Sequence, residues 1–453
     1  MNSVGSKPLP PGKSGLPILG ETLPFLRDGF GFVEERRRKY GPVFRTRILG
    51  RNSAVIVGPD ASGEFINSEH VQREGAMPPH IQTLFGGRCL PILDGEEHAE
   101  RKRLVLAGFT AEALASYLPA MQRIVRRYAE QWATGSEFRW LEEFKRLSLE
   151  VICETILSIT PGPTLEQLQR DYELVGGGFS NLPIPLPGTA FTRAKNALSR
   201  ILRVFAETAR QRLQTPRNDG LSRILAAKSP TTGRTVSVDE VRAELHHIIV
   251  AGLIEWAWFV TAVVELERNT KLWDELREEI RENAPEGPLT LEQLSNLPLL
   301  QRFTMEVRRL SPVVHVFFGK ARQTFEFKGY TIPQGWMVLW GHRSSQLSDE
   351  IYSQPEKFDP DRFVASRAEH HRHAHAFVPN GAGPATGHKC AGYEFAPLLL
   401  EVFTVELLRG YRWEWVKPQD FGYNWAKVPP EPREGLRVRV HRLTPGLPKD
   451  PAT

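Results

Sequence analysis

The spacing of apolar and charged residues predicts a helix-rich chain. Residues 110–160 and residues 191–227 place apolar side chains at helical spacing, with charged positions between them. A further helix is predicted from about Ala391 to Leu408, because that segment is apolar almost throughout. We therefore expect helices to build most of the fold.

Short strands and loops are predicted between these helices. Residues 42–58 hold two β-rich runs around the turn residues Gly50-Arg51-Asn52, a pattern typical of a hairpin. Residues 312–342 contain further short strands separated by glycine and proline turns. Residues 176–190 (GGGFSNLPIPLPGTA) are predicted to form a loop, because glycine and proline disfavour regular structure.

The clearest predicted helix begins at a capping-box pair, Ser237 and Glu240. Its pattern continues to about Asn269, a length of roughly 45 Å at about 1.5 Å per residue. Residues 248–264 are apolar apart from Glu255. A membrane-spanning helix needs about 20 apolar residues, and a central carboxylate is costly in a bilayer. We therefore interpret this run as a buried core helix, without a membrane anchor.

Composition narrows the class of protein. The 453 residues are 41% hydrophobic and 25% charged, which excludes gross disorder. The cysteines Cys89, Cys153 and Cys390 are odd in number and far apart, which favours a reducing compartment over a disulfide framework. Residues 1–20 lack a secretory signal, and neither a repeat nor a linker divides the chain. We expect one cytoplasmic domain over residues 1–453, mainly α with a minor β part.

The charge balance is only mildly basic. Lys plus Arg is 58 and Asp plus Glu is 53, giving a net charge of +5. A basic patch would suit an acidic redox partner or a nucleic acid. Since helix-turn-helix, RNP and zinc-finger spacings are missing from the sequence, we expect a solvated surface and no nucleic-acid partner.

Candidate chemistry begins at Cys390, which follows a glycine-rich loop and precedes an apolar helix. Backbone N–H groups and the helix dipole lower the pKa of a cysteine in such a position. The thiolate could be a nucleophile or a metal ligand, and a buried structural cysteine is the alternative.

Two upstream motifs strengthen the case for a ligand. Glu306 and Arg309 form a Glu-x-x-Arg pair one helical turn apart, and Arg362 follows in the segment FDPDRF. These three side chains could form a buried charge network. This order of motifs before a glycine-rich cysteine loop is highly specific.

The three motifs together resemble the cytochrome P450 family. Within it, three segments look like the retinoic-acid hydroxylase branch and its bacterial relatives: LPPGKSGLPILGETLPFL, KYGPVFRTRILGRN and LPIPLPGTAF. The resemblance implies an α-rich triangular prism, a heme b cofactor and Cys390 as the proximal iron ligand. The Glu306, Arg309 and Arg362 network is then structural.

The resemblance also implies residues that hold the heme propionates. His98 and Lys102 match the family's His-x-x-x-Arg, with lysine in place of arginine, and His388 matches its Arg or His two residues before the cysteine. Where relatives carry a further propionate arginine, this chain has Gly319. Lys320 or Arg322 are candidates to substitute for it.

The segment expected to cross the heme departs from the family pattern. Relatives carry Ala-Gly-x-Asp/Glu-Thr there, and the acid and alcohol supply protons for dioxygen cleavage. This chain keeps the small residues Ala251 and Gly252 but has Ile254 and Glu255 at the acid and alcohol positions, followed by bulky Trp256. A buried carboxylate should have a raised pKa and act as general acid or base. The alternative is a glutamate that hydrogen-bonds a backbone break in the helix.

The cysteine loop also departs from the pattern. Asn380 stands at the family's phenylalanine position, and Pro384-Ala385-Thr386 looks inserted. Longer loops and missing acid–alcohol pairs occur in allene oxide synthases, hydroperoxide lyases and fatty-acid peroxygenases. The distal Arg-Pro pair of the peroxygenases is not found in this sequence.

A histidine cluster lies just before the cysteine loop. His370, His371, His373 and His375 suggest a metal site, but Cys, Asp or Glu residues at ligand spacing do not accompany them. We favour a solvated or structural role.

The leading hypothesis is a monomeric heme-thiolate enzyme that oxidises a lipophilic isoprenoid or fatty molecule, with a ferredoxin-type protein as candidate redox partner. The pocket would be capped by residues 71–93 and 176–190. One alternative is a non-redox isomerase, lyase or cyclase that uses Glu255 as general acid or base. Another is a pseudoenzyme that binds heme or lipid without turnover.

Overall fold

The computed structural model describes residues 7–181 and 183–443, in which helices dominate. The helices are α1 (Thr22–Arg27), α2 (Gly29–Tyr40), α3 (Pro59–Ile66), α4 (Pro79–Leu84), α5 (Gly95–Leu106), α6 (Ala111–Trp132), α7 (Trp140–Leu157), α8 (Pro163–Ser180), α9 (Ala190–Gln214), α10 (Gly220–Ala226), α11 (Val238–Leu253), α12 (Trp256–Arg268), α13 (Thr270–Asn283), α14 (Leu291–Ser295), α15 (Pro298–Leu310), α16 (His342–Gln346) and α17 (Phe395–Gly410). The expected fold class, mainly α with a minor β part, is confirmed.

The strands form small sheets at the edges of the helical body. They are β1 (Val43–Ile48), β2 (Arg51–Ile56), β3 (Val71–Gln72), β4 (Phe138–Arg139), β5 (Val316–Ala321), β6 (Phe325–Phe327), β7 (Tyr330–Ile332), β8 (Met337–Gly341), β9 (Tyr411–Trp415), β10 (Tyr423–Asn424), β11 (Glu431–Pro432) and β12 (Arg437–Arg442). The largest sheet has the order β1-β2-β8-β5-β3. A second sheet, β4-β12-β9, joins the start of α7 to the last described strand.

The main core lies between the long helices. In α6 the buried residues recur at helical spacing, from Ala113 and Leu114 to Trp132, so one face packs inward. Thr110 caps this helix by accepting a hydrogen bond from the Ala113 N–H. The α6 face packs against α7 and α17. These helices therefore enclose the interior that the candidate site borders.

The predicted hairpin at residues 42–58 is confirmed, but its turn lies one residue earlier. Leu49 and Gly50 both have positive φ, 53° and 72°, as a two-residue type I′ turn requires. Arg51 is already in β2, where it pairs with Ile48. The prediction of Gly50-Arg51-Asn52 as the turn was therefore wrong by one position.

The predicted loop over residues 176–190 begins too early, because α8 continues through three glycines to Ser180. A Cβ on Gly178 would lie 2.4 Å from the Cβ of Ala194 and 3.0 Å from Leu84 Cδ1. The helix keeps glycine there because α8 and α9 approach too closely for a side chain.

The helix predicted from Ala391 begins at Phe395, and residues 391–394 form turns. Pro397 explains the difference. In a helix starting at Ala391 the proline would lie in the interior, where it removes a hydrogen bond and clashes with a preceding carbonyl. With the observed start, Pro397 lies in the first turn, where an N–H has no helical partner in any case.

The long helix predicted from Ser237 is confirmed, including its capping box with Glu240. It is interrupted at Ile254 and Glu255, which separate α11 from α12. Taken together, Val238–Arg268 is long and apolar enough to cross a membrane, but 67% of its apolar window is buried inside the protein. In the part of the chain that the structure describes, the only other candidate is a pair bent by 47°, Gly95–Phe109 with Ala111–Trp132.

Candidate heme-binding site

Cys390 lies in a turn-rich loop that the backbone holds in place. Its N–H donates to the Asn380 carbonyl oxygen (3.0 Å). Gly381 has a φ of 83°, and a Cβ there would lie 3.3 Å from the His388 carbonyl oxygen. The loop therefore folds back on itself, so that residues 380 and 390 are adjacent.

The electrostatic environment of Cys390 differs from the sequence-based prediction. Burial raises the pKa of the Cys390 thiol, and the Glu255 carboxylate raises it further. Lys102, the Gly392 N–H and Arg308 act in the opposite direction but do not outweigh burial. The prediction of a lowered pKa was wrong because it counted the backbone donors without the loss of solvent.

An arginine that the sequence did not single out supports the cysteine loop. Arg308 Nη2 donates to Asn380 Oδ1 (3.0 Å), and its guanidinium lies 4.9 Å from the centre of the Tyr393 ring. Asn380, at the position expected to be phenylalanine, therefore anchors the loop by a hydrogen bond to a buried cation.

The three predicted propionate partners come together on one side of this loop. Lys102, on α5, donates from Nζ to the Lys389 carbonyl oxygen (2.6 Å). The rings of His98 and His388 have centroids 4.0 Å apart, and His388 Nε2 lies 3.5 Å from Asp94 Oδ1. The sequence therefore brings residues from two distant segments into one cluster.

The two histidines of this cluster are neutral. Burial, with the neighbouring His388 and Lys102, lowers the pKa of His98 to about 3. Burial also lowers the pKa of His388, against the opposing effect of Asp94. They can offer N–H donors, whereas Lys102 supplies positive charge.

Ala251, Gly252 and Glu255 lie where α11 meets α12. A Cβ on Gly252 would lie 2.5 Å from Ile152 Cγ1, so α11 presses directly against α7. The backbone at the break is satisfied locally: the Glu255 N–H donates to the Gly252 carbonyl oxygen (3.3 Å) and the Trp258 N–H to the Glu255 carbonyl oxygen (2.9 Å).

The Glu255 side chain takes no part in satisfying this break. It makes no capping hydrogen bond to α12, and its Oε2 is buried without a hydrogen-bond partner among the described residues. The interpretation of Glu255 as a backbone cap is therefore wrong. Burial raises the pKa of Glu255 well above its usual range, which favours the protonated, uncharged form of the group.

The predicted charge network at Glu306 is confirmed and is larger than expected. Arg309 Nε and Nη2 donate to the two Glu306 oxygens (2.7 and 2.8 Å), and Arg362 Nε donates to Glu306 Oε1 (2.9 Å). Glu369 adds a second carboxylate, which accepts from Arg362 Nη1 (2.8 Å). Sequence spacing gave no signal for Glu369.

The histidine cluster before the cysteine loop forms two pairs: the ring centroids of His370 and His371 are 3.9 Å apart, and those of His373 and His375 are 5.8 Å apart. His373 Nε2 lies 3.2 Å from Asp60 Oδ1, and His370 packs edge-on against Phe363. Across residues 7–181 and 183–443, no group of three or more His, Cys, Asp or Glu side chains is arranged to hold a metal ion.

Comparisons with known proteins agree with this geometry. The family model described as Cytochrome P450 matches residues 10–428. A solved structure, "Retinoic acid bound cyanobacterial CYP120A1", is 31% identical, with a TM-score of 0.89 over 97% of this chain and 100% of that one. The abscisic acid 8'-hydroxylase CYP707A1 of Solanum lycopersicum is 28% identical over 96% of this chain and 91% of its own length. The structure of cytochrome P450EX alpha with myristic acid, 21% identical with a TM-score of 0.78 and covering 97% of this chain and 100% of its own, shares the fold.

Proposed function

Because this chain belongs to the cytochrome P450 family, we propose that it forms one heme domain in which Cys390 ligates the iron of heme b. Family membership makes the protein a heme-dependent oxidoreductase. Bound heme supplies the redox-active iron at which an oxidant is activated. The chain's own residues decide how the cofactor is held and how protons reach the reaction.

The residues around Cys390 suit a heme. The thiol is a soft iron ligand, and Lys102 is a buried cation that makes no ion pair within 4 Å in the described part of the chain. On this proposal Lys102, His98 and His388 hold the propionates, and Ala251 lets the helix approach the ring. Gly252, also expected at the ring, instead faces Ile152 of α7. Reduced protein with carbon monoxide should show a thiolate-type absorption band, and Cys390→Ser should lose it. Purified protein unable to take up heme would overturn the assignment.

The proposed substrate is a lipophilic isoprenoid or fatty molecule. The supporting observation is that the two most similar proteins named above bind retinoic acid and hydroxylate abscisic acid. We propose that the enzyme works as a cytoplasmic monomer with a ferredoxin-type redox partner, consistent with the burial of its apolar helix.

We propose that Glu255 is the proton donor on the substrate side. The observation that carries this proposal is the buried carboxylate at the α11–α12 break, whose Oε2 has no hydrogen-bond partner in the described part of the chain. Glu255 is also close enough to Cys390 for the two groups to interact electrostatically. A neutral carboxylic acid beside the cofactor pocket can donate its proton to the reaction. The carboxylate that remains then takes up a new proton from solvent.

The test is Glu255→Gln, which preserves size and shape. We expect heme loading and retinoic acid binding, followed by the heme spectrum, to be unchanged, while turnover with reductant or peroxide falls about 100-fold or more. Glu265→Gln is the matched control, because Glu265 lies on α12 and also has a raised pKa but pairs with Arg268. Turnover of Glu255→Gln equal to wild type would refute the role.

A second candidate function, a non-redox isomerase, lyase or cyclase, rests on the same neutral acid. Such an enzyme needs a proton donor but consumes neither reductant nor peroxide. Product formation without any oxidant, abolished in Glu255→Gln, would favour it. The double variant Ile254→Asp with Glu255→Thr rebuilds the family's acid–alcohol pair and should lose that reaction.

A further inference from the structure

A buried arginine near the cysteine loop has no role in the proposed function so far. Arg73 directly follows β3 and is 8% exposed. Its guanidinium lies over the Phe65 ring at 3.9 Å, and Nη2 donates to the Phe65 carbonyl oxygen (3.1 Å). Its Nη1 is buried without a hydrogen-bond partner among the described residues.

The register of the sheet places Arg73 opposite Gly319. Strands β3 and β5 are antiparallel, with Val71 opposite Ala321 and Gln72 opposite Lys320. Continuing this ladder by one residue brings Arg73 to Gly319. Gly319 is the position at which relatives were expected to carry a propionate arginine.

Space around Gly319 excludes a side chain there. A Cβ on Gly319 would lie 2.5 Å from Val71 Cγ1 and 2.9 Å from Phe65 Cε2. It would also lie 3.3 Å from Arg73 Nη1. The guanidinium of Arg73 therefore lies beside the space that a residue on β5 would use.

The charges around Arg73 favour an anionic ligand. Asp94 faces the cluster, but its Oδ2 accepts hydrogen bonds from the backbone N–H groups of Arg73 and Glu74 (2.7 Å each) and its Oδ1 faces His388. Asp94 thereby connects the Arg73 backbone to His388, which places Arg73 beside the same cluster. Arg73 and Lys102 are both buried cations, and the carboxylates that act on their charges are Asp94 for Arg73 and Glu244 for Lys102.

We infer that Arg73 binds a heme propionate and replaces, from the neighbouring strand, the arginine that Gly319 lacks. This inference rests on the proposed function. The positive charge expected on β5 is thus supplied by Arg73, next to β3. Gly319 on β5 leaves the space that the Arg73 side chain occupies. Lys320 and Arg322, the candidates suggested by sequence order, are then not propionate partners.

The experiment compares heme with its dimethyl ester, in which both propionate charges are removed. Heme-free wild type and the variants Arg73→Met and Arg73→Lys are loaded with each cofactor, and release to apomyoglobin is timed. Arg73→Met keeps an apolar side chain over Phe65 but loses the charge. We expect it to release heme about 10- to 100-fold faster than wild type, as loss of a charge-assisted hydrogen bond predicts. Release of the dimethyl ester should not differ between the two proteins.

Arg73→Lys should release heme at a rate between those of wild type and Arg73→Met, because lysine keeps the positive charge but lacks the planar guanidinium. Lys320→Met and Arg322→Met are matched controls and should release heme like wild type. Equal loss of heme and ester from Arg73→Met, or loss only from the controls, would overturn the inference. If wild type itself binds no heme, the proposed function fails instead, so the two failures are distinguishable.

Discussion

Two groups of buried charges differ in how their hydrogen bonds are satisfied. In the Glu306 network, Glu306, Arg309 and Arg362 are fully buried, and each charge meets an opposite charge within 3 Å. Glu306 Oε1 also accepts from the Asp359 N–H (2.9 Å). By contrast, Glu255 and Arg73 are each 8% exposed, and each keeps a polar atom that has no hydrogen-bond partner within residues 7–181 and 183–443.

The difference separates a structural role from a functional one. A buried ion network whose hydrogen bonds are complete holds neighbouring segments together, and breaking it leaves an uncompensated charge. A buried polar atom without a partner costs stability. An atom of this kind calls for an explanation, and a ligand or a reaction that uses it is one.

The largest effect should follow from opening the complete network. Glu306→Ala or Arg362→Ala should lower the free energy of unfolding by about 3–5 kcal/mol, because the remaining partner stays buried and unpaired. We expect aggregated or heme-free protein in denaturant and heme-loading measurements, whereas Glu255→Gln should fold normally. If Glu306→Ala were stable and fully loaded with heme, the Glu306 network would not have the structural role that distinguishes it from Glu255 and Arg73.

An effect of intermediate size on the free energy of unfolding is expected from Glu401 on α17. Burial raises its pKa from 4.5 to about 7, despite opposing effects of Gln301 and Arg308. Because the folded state binds the proton more tightly, the free energy of unfolding should fall as pH rises from about 4.5 to 7, by about 3 kcal/mol. Urea unfolding at pH 5, 6, 7 and 8 should show this decrease in wild type and a smaller one in Glu401→Gln. Identical pH profiles would show that Glu401 is not responsible.

The smallest effect on the free energy of unfolding is expected at the ion pair of Arg88 and Glu97, although its N–O distance is short. Arg88 Nη2 lies 2.7 Å from Glu97 Oε2, the same distance as Arg309 Nε from Glu306 Oε2. The Arg88 and Glu97 side chains are 58% and 45% exposed. Arg88→Ala should therefore change the free energy of unfolding by less than about 1 kcal/mol. A loss as large as that of Arg362→Ala would show that burial does not decide the energy of these pairs.

Local signals predicted most of the fold. The capping box at Ser237, the spacing of α6 and the two runs of the hairpin were visible in sequence because each depends on neighbours within a few residues. Two errors have local causes, the hairpin turn at Leu49 and Gly50 and the start of α17, which Pro397 determines. The other predictions failed where a distant contact decides. Gly178 reads as a loop residue until Ala194 is known to lie against it, and the break at Glu255 has no local signal such as proline.

The candidate site shows the same division. Family motifs located Cys390, Lys102 and Glu255, since their spacing along the chain is characteristic. Arg73 could not be found in this way, because its relation to Gly319 exists only in the register of two strands far apart in sequence. A search for buried cations opposite glycine in paired strands would have found it.

The sheet β4-β12-β9 has a consequence for the order of events during synthesis. Residues at the start of α7 depend on the last described strand: the Trp140 N–H donates to the Leu436 carbonyl oxygen, and Lys145 binds Glu431, 286 residues later in the chain. At about 5–20 residues per second, a ribosome needs on the order of tens of seconds to deliver the second partner. During that interval the nascent chain carries Trp140 and its aromatic neighbours without their cover.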